Sequence, residues 1–286
     1  MLLIPPVAMP GTGRMLFQEH DPPPGLKPFL KYYWTLQLDE LPVSRSSQRL
    51  LAESFEFIFN MAAPLEIING DGRIERIITT GITGPMSRPM RMRMTGPVDL
   101  FGICFQSGRG YPFFKYPAYE LANQSVQVDD LCRTRERDFV EHVQNDCRTT
   151  RSRIEAVNAF LGNRLESNLR DDDVIQKAIE IIENCKGCIT ICQLARNLGL
   201  SQRHLTRKFK ERIGMPPKQL CRNIRFKQVY KLIETSSQHN WADIALTCGY
   251  SDQPHFINEF KHFTGSSPDA YFFSSLCGPD FFTANF

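Results

Sequence analysis

The chain lacks the features of secreted and membrane-embedded proteins. No apolar run approaches the roughly 20 residues that cross a bilayer. The first residues, MLLIPPVAMPGTGRM, have no basic start and are interrupted by Pro5, Pro6 and Pro10, which is unlike a signal peptide. We therefore expect a cytoplasmic protein without a membrane segment.

Residues for catalysis and metal binding are also scarce. The first 170 residues contain only His20 and His142, which is too few for a histidine-rich metal centre. The chain has no GxSxG motif, no phosphate-binding loop and no nucleophile–base spacing. We expect no enzymatic activity, no metal and no cofactor.

Cysteines number nine and are scattered along the chain, as is typical of free thiols in a reducing compartment. Cys185, Cys188 and Cys192 form the one close group. They have two interpretations, a metal or redox sensor placed before a DNA-binding motif, or ordinary small apolar side chains. No fourth ligand follows at the spacing of a zinc site.

The length of 286 residues favours two domains. A net charge of +3, 42% hydrophobic residues and 23% charged residues are typical of a globular protein. With so small a net charge, a surface that binds nucleic acid must come from a basic segment within the chain.

A repeat near the C-terminus is the most informative pattern. The stretch from Leu194 to Pro217 is echoed by the stretch from Ile244 to Pro268, with one inserted residue in the second copy. Each copy contains an apolar helix, a Gly turn, a Ser that can cap the next helix, and a second helix that ends in Gly. This order predicts two helix-turn-helix units.

In the first copy, Gly199 supplies the turn and Ser201 the N-cap. Leu205 and Phe209 lie four residues apart and therefore share a buried face. The opposite face carries Arg, Lys, Gln, His and Thr side chains, which suits base reading because Arg pairs with guanine and Gln with adenine.

The charge is concentrated in this copy. Residues 201–231 contain ten cations and a single anion, Glu211, which is the expected footprint of phosphate neutralisation. Residues 241–264 contain only Lys261 against three anions. We expect the first unit to dominate the affinity for DNA.

Residues 217–235 predict one long helix between the copies. A rigid connector fixes the spacing of the two recognition helices, which must lie about 34 Å apart to enter one duplex face.

Residues 172–273 resemble the DNA-binding domain of AraC/XylS-type bacterial transcription regulators. The resemblance lies in LARNLGLSQRHLTRKFKERIG, IRFKQVYKLI and ADIALTCGYSDQPHFINEFKHFTGSSPDAY. It implies seven helices with two units in successive major grooves, and base reading by Arg203, His204, Arg207, Gln253, Asn258 and Lys261. The family usually has Arg at the position of Asn258 and Ala at that of Val229. Together, the residues expected to contact DNA are Ser201, Gln202, Arg203, His204, Thr206, Arg207, Lys210, Lys218, Lys227, Gln253, Asn258 and Lys261.

The N-terminal region has the pattern of short antiparallel strands. Alternating runs at 32–38, 55–60, 65–70, 73–80, 90–95 and 99–105 are separated by turn signals at 69–72 and 81–85, which predicts a sandwich or barrel. PPPGLKPFLKYYW and GPVDLFGICFQSGRGYPFF resemble the β-rich domain of one subgroup of these regulators, which implies a cupin-like sensing or dimerising domain. The candidate ligand-contacting residues are Trp34, Phe55, Phe57, Phe59, Phe101 and Phe105.

The expected fold is multidomain α+β. It comprises a β-rich domain at 1–143, a helical linker at 144–171, an all-α DNA-binding domain at 172–273 and an aromatic tail at 274–286. Asp171 to Asp173 are expected to cap the first helix of the DNA-binding domain.

Three functions compete. The first is a transcription regulator, an activator by the common role of the family, whose N-terminal domain senses a small molecule or forms a homodimer. Its expected partners are double-stranded DNA and RNA polymerase. The second is a partner-regulated DNA-binding protein whose phenylalanine rings fill the N-terminal core. The third is a regulator fused to a zinc-dependent suicide methyltransferase, which needs a cysteine cluster, whereas Cys104, Cys132 and Cys147 are isolated.

Overall fold

The computed structural model places a β-rich N-terminal region before a helical C-terminal region. The residues it describes are 16–38, 45–49, 54–68, 73–88, 90–110, 113, 117–128, 134–168, 173–235 and 240–273. The predicted caps Asp171 and Asp172 and the aromatic tail at 274–286 lie outside these residues.

Ten strands are described in the N-terminal region. They are β1 (Leu16–His20), β2 (Leu30–Leu38), β3 (Arg45–Arg49), β4 (Glu56–Asn60), β5 (Leu65–Ile68), β6 (Ile74–Ile78), β7 (Gly81–Thr83), β8 (Met90–Met94), β9 (Val98–Phe105) and β10 (Ser125–Gln127). They pair antiparallel in a six-stranded sheet of order β1-β2-β9-β4-β7-β10 and a four-stranded sheet of order β3-β8-β5-β6.

The antiparallel β-rich prediction is confirmed, with two corrections. The described strands form two separate sheets, so the cupin-like barrel is not closed. Gly81 to Thr83, expected to be a turn, form β7 between β4 and β10. A side chain at Gly81 would come within 2.4 Å of the Val126 carbonyl oxygen, so close strand pairing explains this glycine better than a turn does.

Strand period places different side chains on the two faces of the large sheet. Phe55, Phe57 and Phe59 lie in one buried cluster, whereas Ile58 lies in another with Trp34. In β8, Met90, Met92 and Met94 are buried while Arg91 is exposed and Arg93 is half-buried, as the alternation predicts. Arg93 pairs with Glu66 at 2.6 Å.

Helices cover the phenylalanine face of the large sheet. They are α1 (Thr134–Asn145) and α2 (Thr150–Asn168), and their Val143 and Val157 are fully buried in the same cluster as the phenylalanines. The Tyr33 hydroxyl donates to Asn158 Oδ1 at 2.6 Å. Of the segment predicted to be a helical linker (144–171), residues 144–145 and 150–168 are helical, and α2 packs on the sheet.

The described residues from 173 to 273 form seven helices, as the family resemblance implies. They are α3 (Asp173–Asn184), α4 (Ile191–Asn197), α5 (Gln202–Ile213), α6 (Pro217–Thr235), α7 (Trp241–Thr247), α8 (Gln253–Thr264) and α9 (Pro268–Phe273). None of the helices described is both long and apolar enough to span a membrane.

Candidate DNA-binding surface

The first helix-turn-helix unit is formed by α4 and α5. Thr190 caps α4 with its hydroxyl and Gln193 reciprocates, which completes a capping box. Gly199 turns the chain at φ +66°. The Ser201 hydroxyl then accepts a hydrogen bond from the His204 amide at 3.2 Å, and Gly214 ends α5 at φ +88°. The predicted turn and caps are confirmed.

The packing of α5 on α4 determines which face of α5 is exposed to solvent. Leu205, Phe209 and Ile213 are buried against Leu194 and Ala195 of α4. The opposite face therefore points to solvent, with Gln202, Arg203, Arg207 and Lys210 exposed and His204 and Thr206 half-buried. Arg207 also lies 3.2 Å from Glu211 one turn later. A row of cations and amides on an exposed helix can enter a major groove.

The second unit repeats this geometry with one difference in its cap. Asp252, rather than the predicted Ser251, caps α8, since its carboxylate accepts from the His255 amide at 2.7 Å. This hydrogen bond lowers the pKa of the Asp252 carboxyl. Ser251 instead donates to Asp252 at 3.1 Å. The inserted residue of the second copy thus shifts the cap by one position.

The exposed face of α8 is less basic than that of α5. Gln253, Pro254, Asn258 and Lys261 are exposed, and Ile257 is half-buried. Pro254 lies in the first turn, where a missing N–H is tolerated. Gly265 ends the helix at φ +82°, as Gly214 does in the first unit.

Arg222 and Arg225, which are among the ten cations of residues 201–231, bind partners in the second unit. Arg222 of α6 binds Glu259 of α8 through two hydrogen bonds of 2.8 and 2.9 Å, and its guanidinium lies 5.4 Å from the Phe263 ring. Arg225 donates to the Gly249 carbonyl at 3.4 Å and lies 5.4 Å from the Tyr250 ring. Neither contact is predictable from the sequence, because the partners lie 37 and 24 residues away and no periodic pattern joins them. Lys218 is exposed and Lys227 is half-buried.

The connector α6 supplies side chains to both units. Leu220 and Ile224 lie in the apolar cluster of the first unit, whereas Val229 and Ile233 lie in that of the second. One continuous helix therefore sets the separation of α5 and α8.

The described residues of the N-terminal region contact the DNA-binding domain at several places. On α3, the Gln176 carboxamide donates to the Ser107 carbonyl oxygen at 3.2 Å. The carboxamide of buried Asn223 on α6 donates to the Met86 carbonyl at 3.1 Å. A side chain at Gly214 would come within 2.7 Å of the carbonyl oxygen of Ala118, which begins a short 3-10 helix (Ala118–Glu120). His262 Nε2 of α8 lies 3.3 Å from the Ser87 carbonyl oxygen. These contacts involve both units and the connector.

The candidate ligand-contacting residues fall into two clusters. The phenylalanines pack on each other and on α1: the centroid of the Phe59 ring lies 4.5 Å from that of Phe57, 5.8 Å from that of Phe101 and 5.9 Å from that of Phe139. Phe55 and Phe105 belong to the same cluster. Trp34 lies between the two sheets over Gly102, where any side chain would come within 2.0 Å of the indole. The structure therefore does not bring Trp34 to the phenylalanines.

The cysteine group surrounds the turn between α3 and α4. Cys185, Cys188 and Cys192 are all exposed. Among the described residues, no group of three or more His, Cys, Asp or Glu side chains could hold a metal ion.

Comparison with known proteins adds two family matches and several relatives. A family model described as a helix-turn-helix domain matches residues 194–273, and one described as a domain of unknown function (DUF6597) matches residues 18–127. An uncharacterized HTH-type transcriptional regulator of Staphylococcus aureus is 32% identical over 106 residues, which are 37% of this chain and 14% of that protein. The HTH-type transcriptional regulator ArgR of Pseudomonas aeruginosa is 28% identical over 109 residues, 38% of this chain and 32% of that protein. The chain thus spans about a seventh to a third of the length of these two relatives.

Among solved structures, ToxT from Vibrio cholerae aligns with a TM-score of 0.46 at 12% identity, over 90% of this chain and 98% of that chain.

Proposed function

Because its helical C-terminal domain is a tandem helix-turn-helix domain of the AraC/XylS type, we propose that this chain is a sequence-specific transcription regulator that reads two neighbouring segments of one duplex face. The repeated geometry supports this proposal most directly. Two recognition helices with matching apolar faces and left-handed glycine caps pack on one continuous connector.

The two units have unequal roles in this proposal. Arg203, His204 and Arg207 of α5 read bases, with Gln202, Thr206 and Lys210 beside them, while Ser201, Lys218 and Lys227 contact phosphates. Gln253, Asn258 and Lys261 of α8 read the second segment with less electrostatic attraction, because Asp252 caps that helix and Glu259 lies on it.

Selection of DNA from a random pool with the full chain tests the proposal. We expect an enriched site with two elements about one helical turn apart. Enrichment of one short element alone would contradict reading by both units, and an absence of enrichment would contradict sequence-specific binding.

Control by the N-terminal region is the second part of the proposal. The Asn223–Met86 hydrogen bond and the Gly214–Ala118 contact join that region to the connector and to α5. A change in the N-terminal region would alter which arrangement of the two units is populated.

The ring packing favours a packed N-terminal core over a small-molecule site at the phenylalanines. A ligand at Phe59 would have to displace Phe57, Phe101 or Phe139. The packed-core candidate is regulated by a protein partner or by a second copy of the chain. Native mass spectrometry of the full chain separates the two candidates, since a copurified small molecule would contradict the packed core and a ligand-free homodimer would support it.

We further propose that the regulator acts in the cytoplasm as an activator, through RNA polymerase bound beside its site. Transcription with purified polymerase from a template that carries the selected site should rise when the full chain is added. A fall in transcription would contradict activation.

A further inference from the structure

The two helix-turn-helix units have separate apolar clusters, and the turn before α4 forms a junction between the units outside the connector. The first cluster contains Leu205, Phe209 and Cys221, and the second contains Phe256 and Cys248. At the junction, the turn from Cys185 to Cys188 packs against α6, since a side chain at Gly187 would come within 2.3 Å of the Cys221 carbonyl oxygen. Two left-handed residues, Lys186 at φ +50° and Gly187 at φ +75°, hold this turn.

The sulfur of Cys188 lies directly on the second unit. It is 3.7 Å from the Cys248 carbonyl oxygen, and a side chain at Gly249 would come within 2.3 Å of it. The matching glycine of the first copy, Gly199, has open space at the same point. The contact is therefore a property of the junction and not of the repeated motif.

The two neighbouring thiols have different surroundings. Cys188 is exposed, whereas Cys248 ends α7 and is only 4% exposed. Burial first, and then the neighbouring Cys188, raise the pKa of the Cys248 thiol to about 11. Cys248 therefore stays protonated near neutral pH, and a dissolved oxidant meets Cys188 first.

We propose that Cys188 and Cys248 are a modification site, an oxidisable dithiol that forms a reversible disulfide between the two helix-turn-helix units. Hydrogen peroxide or an alkyl hydroperoxide is the oxidant. The Cys188 thiolate attacks the O–O bond and takes up one oxygen as a sulfenic acid. The O–O bond breaks, and the departing hydroxide or alkoxide takes up the proton that Cys188 lost on ionising and leaves as water or an alcohol. The Cys248 sulfur then attacks the Cys188 sulfur, the S–O bond breaks, and the Cys248 proton leaves with that oxygen as water. Two thiols are oxidised and one peroxide is reduced.

The disulfide would move the segment that leads into the second recognition helix, α8. Cys248 must leave its place in the second cluster, or Cys188 must enter it, and either movement displaces Gly249 and Tyr250, which lead to α8. This expectation rests on the proposed function: the movement predicts that oxidation weakens the reading of the second DNA segment and leaves the first unit intact.

Peptide mapping of the oxidised full chain tests the bond. After peroxide treatment and tryptic digestion without reductant, we expect residues 187–196 linked to residues 232–261. The link should persist in the matched control Cys192→Ser, whose thiol lies in the same peptide, and disappear in Cys188→Ser and Cys248→Ala. Cys188 is exposed, so Cys188→Ser tests the bond even if Cys248→Ala unfolds. A link from Cys188 to Cys185 or Cys221, or no link, would overturn the proposal.

Anisotropy titration of the same samples tests the consequence. Affinity for the two-element site should fall about tenfold on oxidation and recover with dithiothreitol, while affinity for the first element alone stays within about twofold. If the disulfide forms but the affinity for the two-element site does not change, the proposed effect of the disulfide on DNA binding would be overturned. Absence of DNA binding by the reduced chain would instead contradict the proposed function, and the mapped link would stand separately.

Discussion

The carboxamide of Asn223 donates a hydrogen bond to the main-chain carbonyl of Met86, across the boundary between the DNA-binding domain and the N-terminal region. Asn223 is fully buried, and its Oδ1 accepts from Gln219 at 2.9 Å. Because a buried amide is stable only when its polar atoms are bonded, this side chain depends on the two regions staying in contact.

Replacement of Asn223 should loosen that contact. Asn223→Leu leaves the Met86 carbonyl and the Gln219 amide without this partner, which should lower the free energy of unfolding by about 1–3 kcal/mol. Hydrogen exchange should rise at residues 85–88 and 219–223. Asn258→Leu is the control, since Asn258 is exposed on α8. Equal exchange in the two variants would contradict a linking role for Asn223.

Gly214 and Gly265 end α5 and α8 at equivalent positions. Comparing the stability of their alanine variants separates the cost of backbone strain from the cost of lost contact between the two regions. Gly214 and Gly265 have φ of +88° and +82°, so an alanine at either costs roughly 1 kcal/mol. Only Gly214→Ala also pushes against a backbone oxygen, that of Ala118, whereas Gly265 faces open space. Thermal unfolding should show the larger loss for Gly214→Ala. Equal losses would mean that the N-terminal region does not press on α5 in solution.

Arg207→Ala should weaken specific DNA binding by about 1–3 kcal/mol and relax the preference at one base pair. The matched control is Arg151→Ala on α2, because Arg151 is also exposed and also pairs with a glutamate one turn later. Binding of each variant to the selected site and to single-base variants provides the measurement. Unchanged selectivity in Arg207→Ala would remove its base-reading role.

The Arg222–Glu259 pair should stabilise the packing of the second unit on the connector. Its side chains are 22% and 16% exposed, whereas those of Arg151–Glu155 are 89% and 63% exposed. Double-mutant cycles with alanine should therefore give a coupling energy of about 1–3 kcal/mol for Arg222–Glu259 and below about 0.5 kcal/mol for Arg151–Glu155. Similar couplings for the two pairs would show that Arg222 remains available for phosphate.

Local rules predicted much of the DNA-binding domain. Gly199, Ser201, Leu205 and Phe209 specify a turn, a cap and a buried face within a few residues of each other, so periodicity and capping were sufficient. The cap of α8 was mispredicted because Ser251 and Asp252 are adjacent and both can cap, and only the register of the buried Phe256 decides between them.

Long-range partners were not predictable from the sequence. Arg222 and Arg225 look like phosphate contacts in a basic run, but their partners become neighbours only after the second unit folds onto α6. In the N-terminal region, six strand runs were found by alternation, whereas the short β7 begins with a glycine that resembles a turn. The strand period of two places Phe55, Phe57 and Phe59 on one face. The helices that cover that face come from residues 134–168 and leave no local signal in the strands.

The most direct test of two-unit reading is the dependence of affinity on the spacing of the two DNA elements. Anisotropy titrations of the full chain would compare the selected site with versions carrying about 5 or about 10 inserted base pairs, roughly a half turn and a full turn of the duplex. The rigid connector predicts a loss of about tenfold or more for both insertions, because one rotates the second element away and the other moves it beyond the reach of α8. Affinity that is unchanged by either insertion would contradict the account, since the second unit would then contribute nothing to recognition.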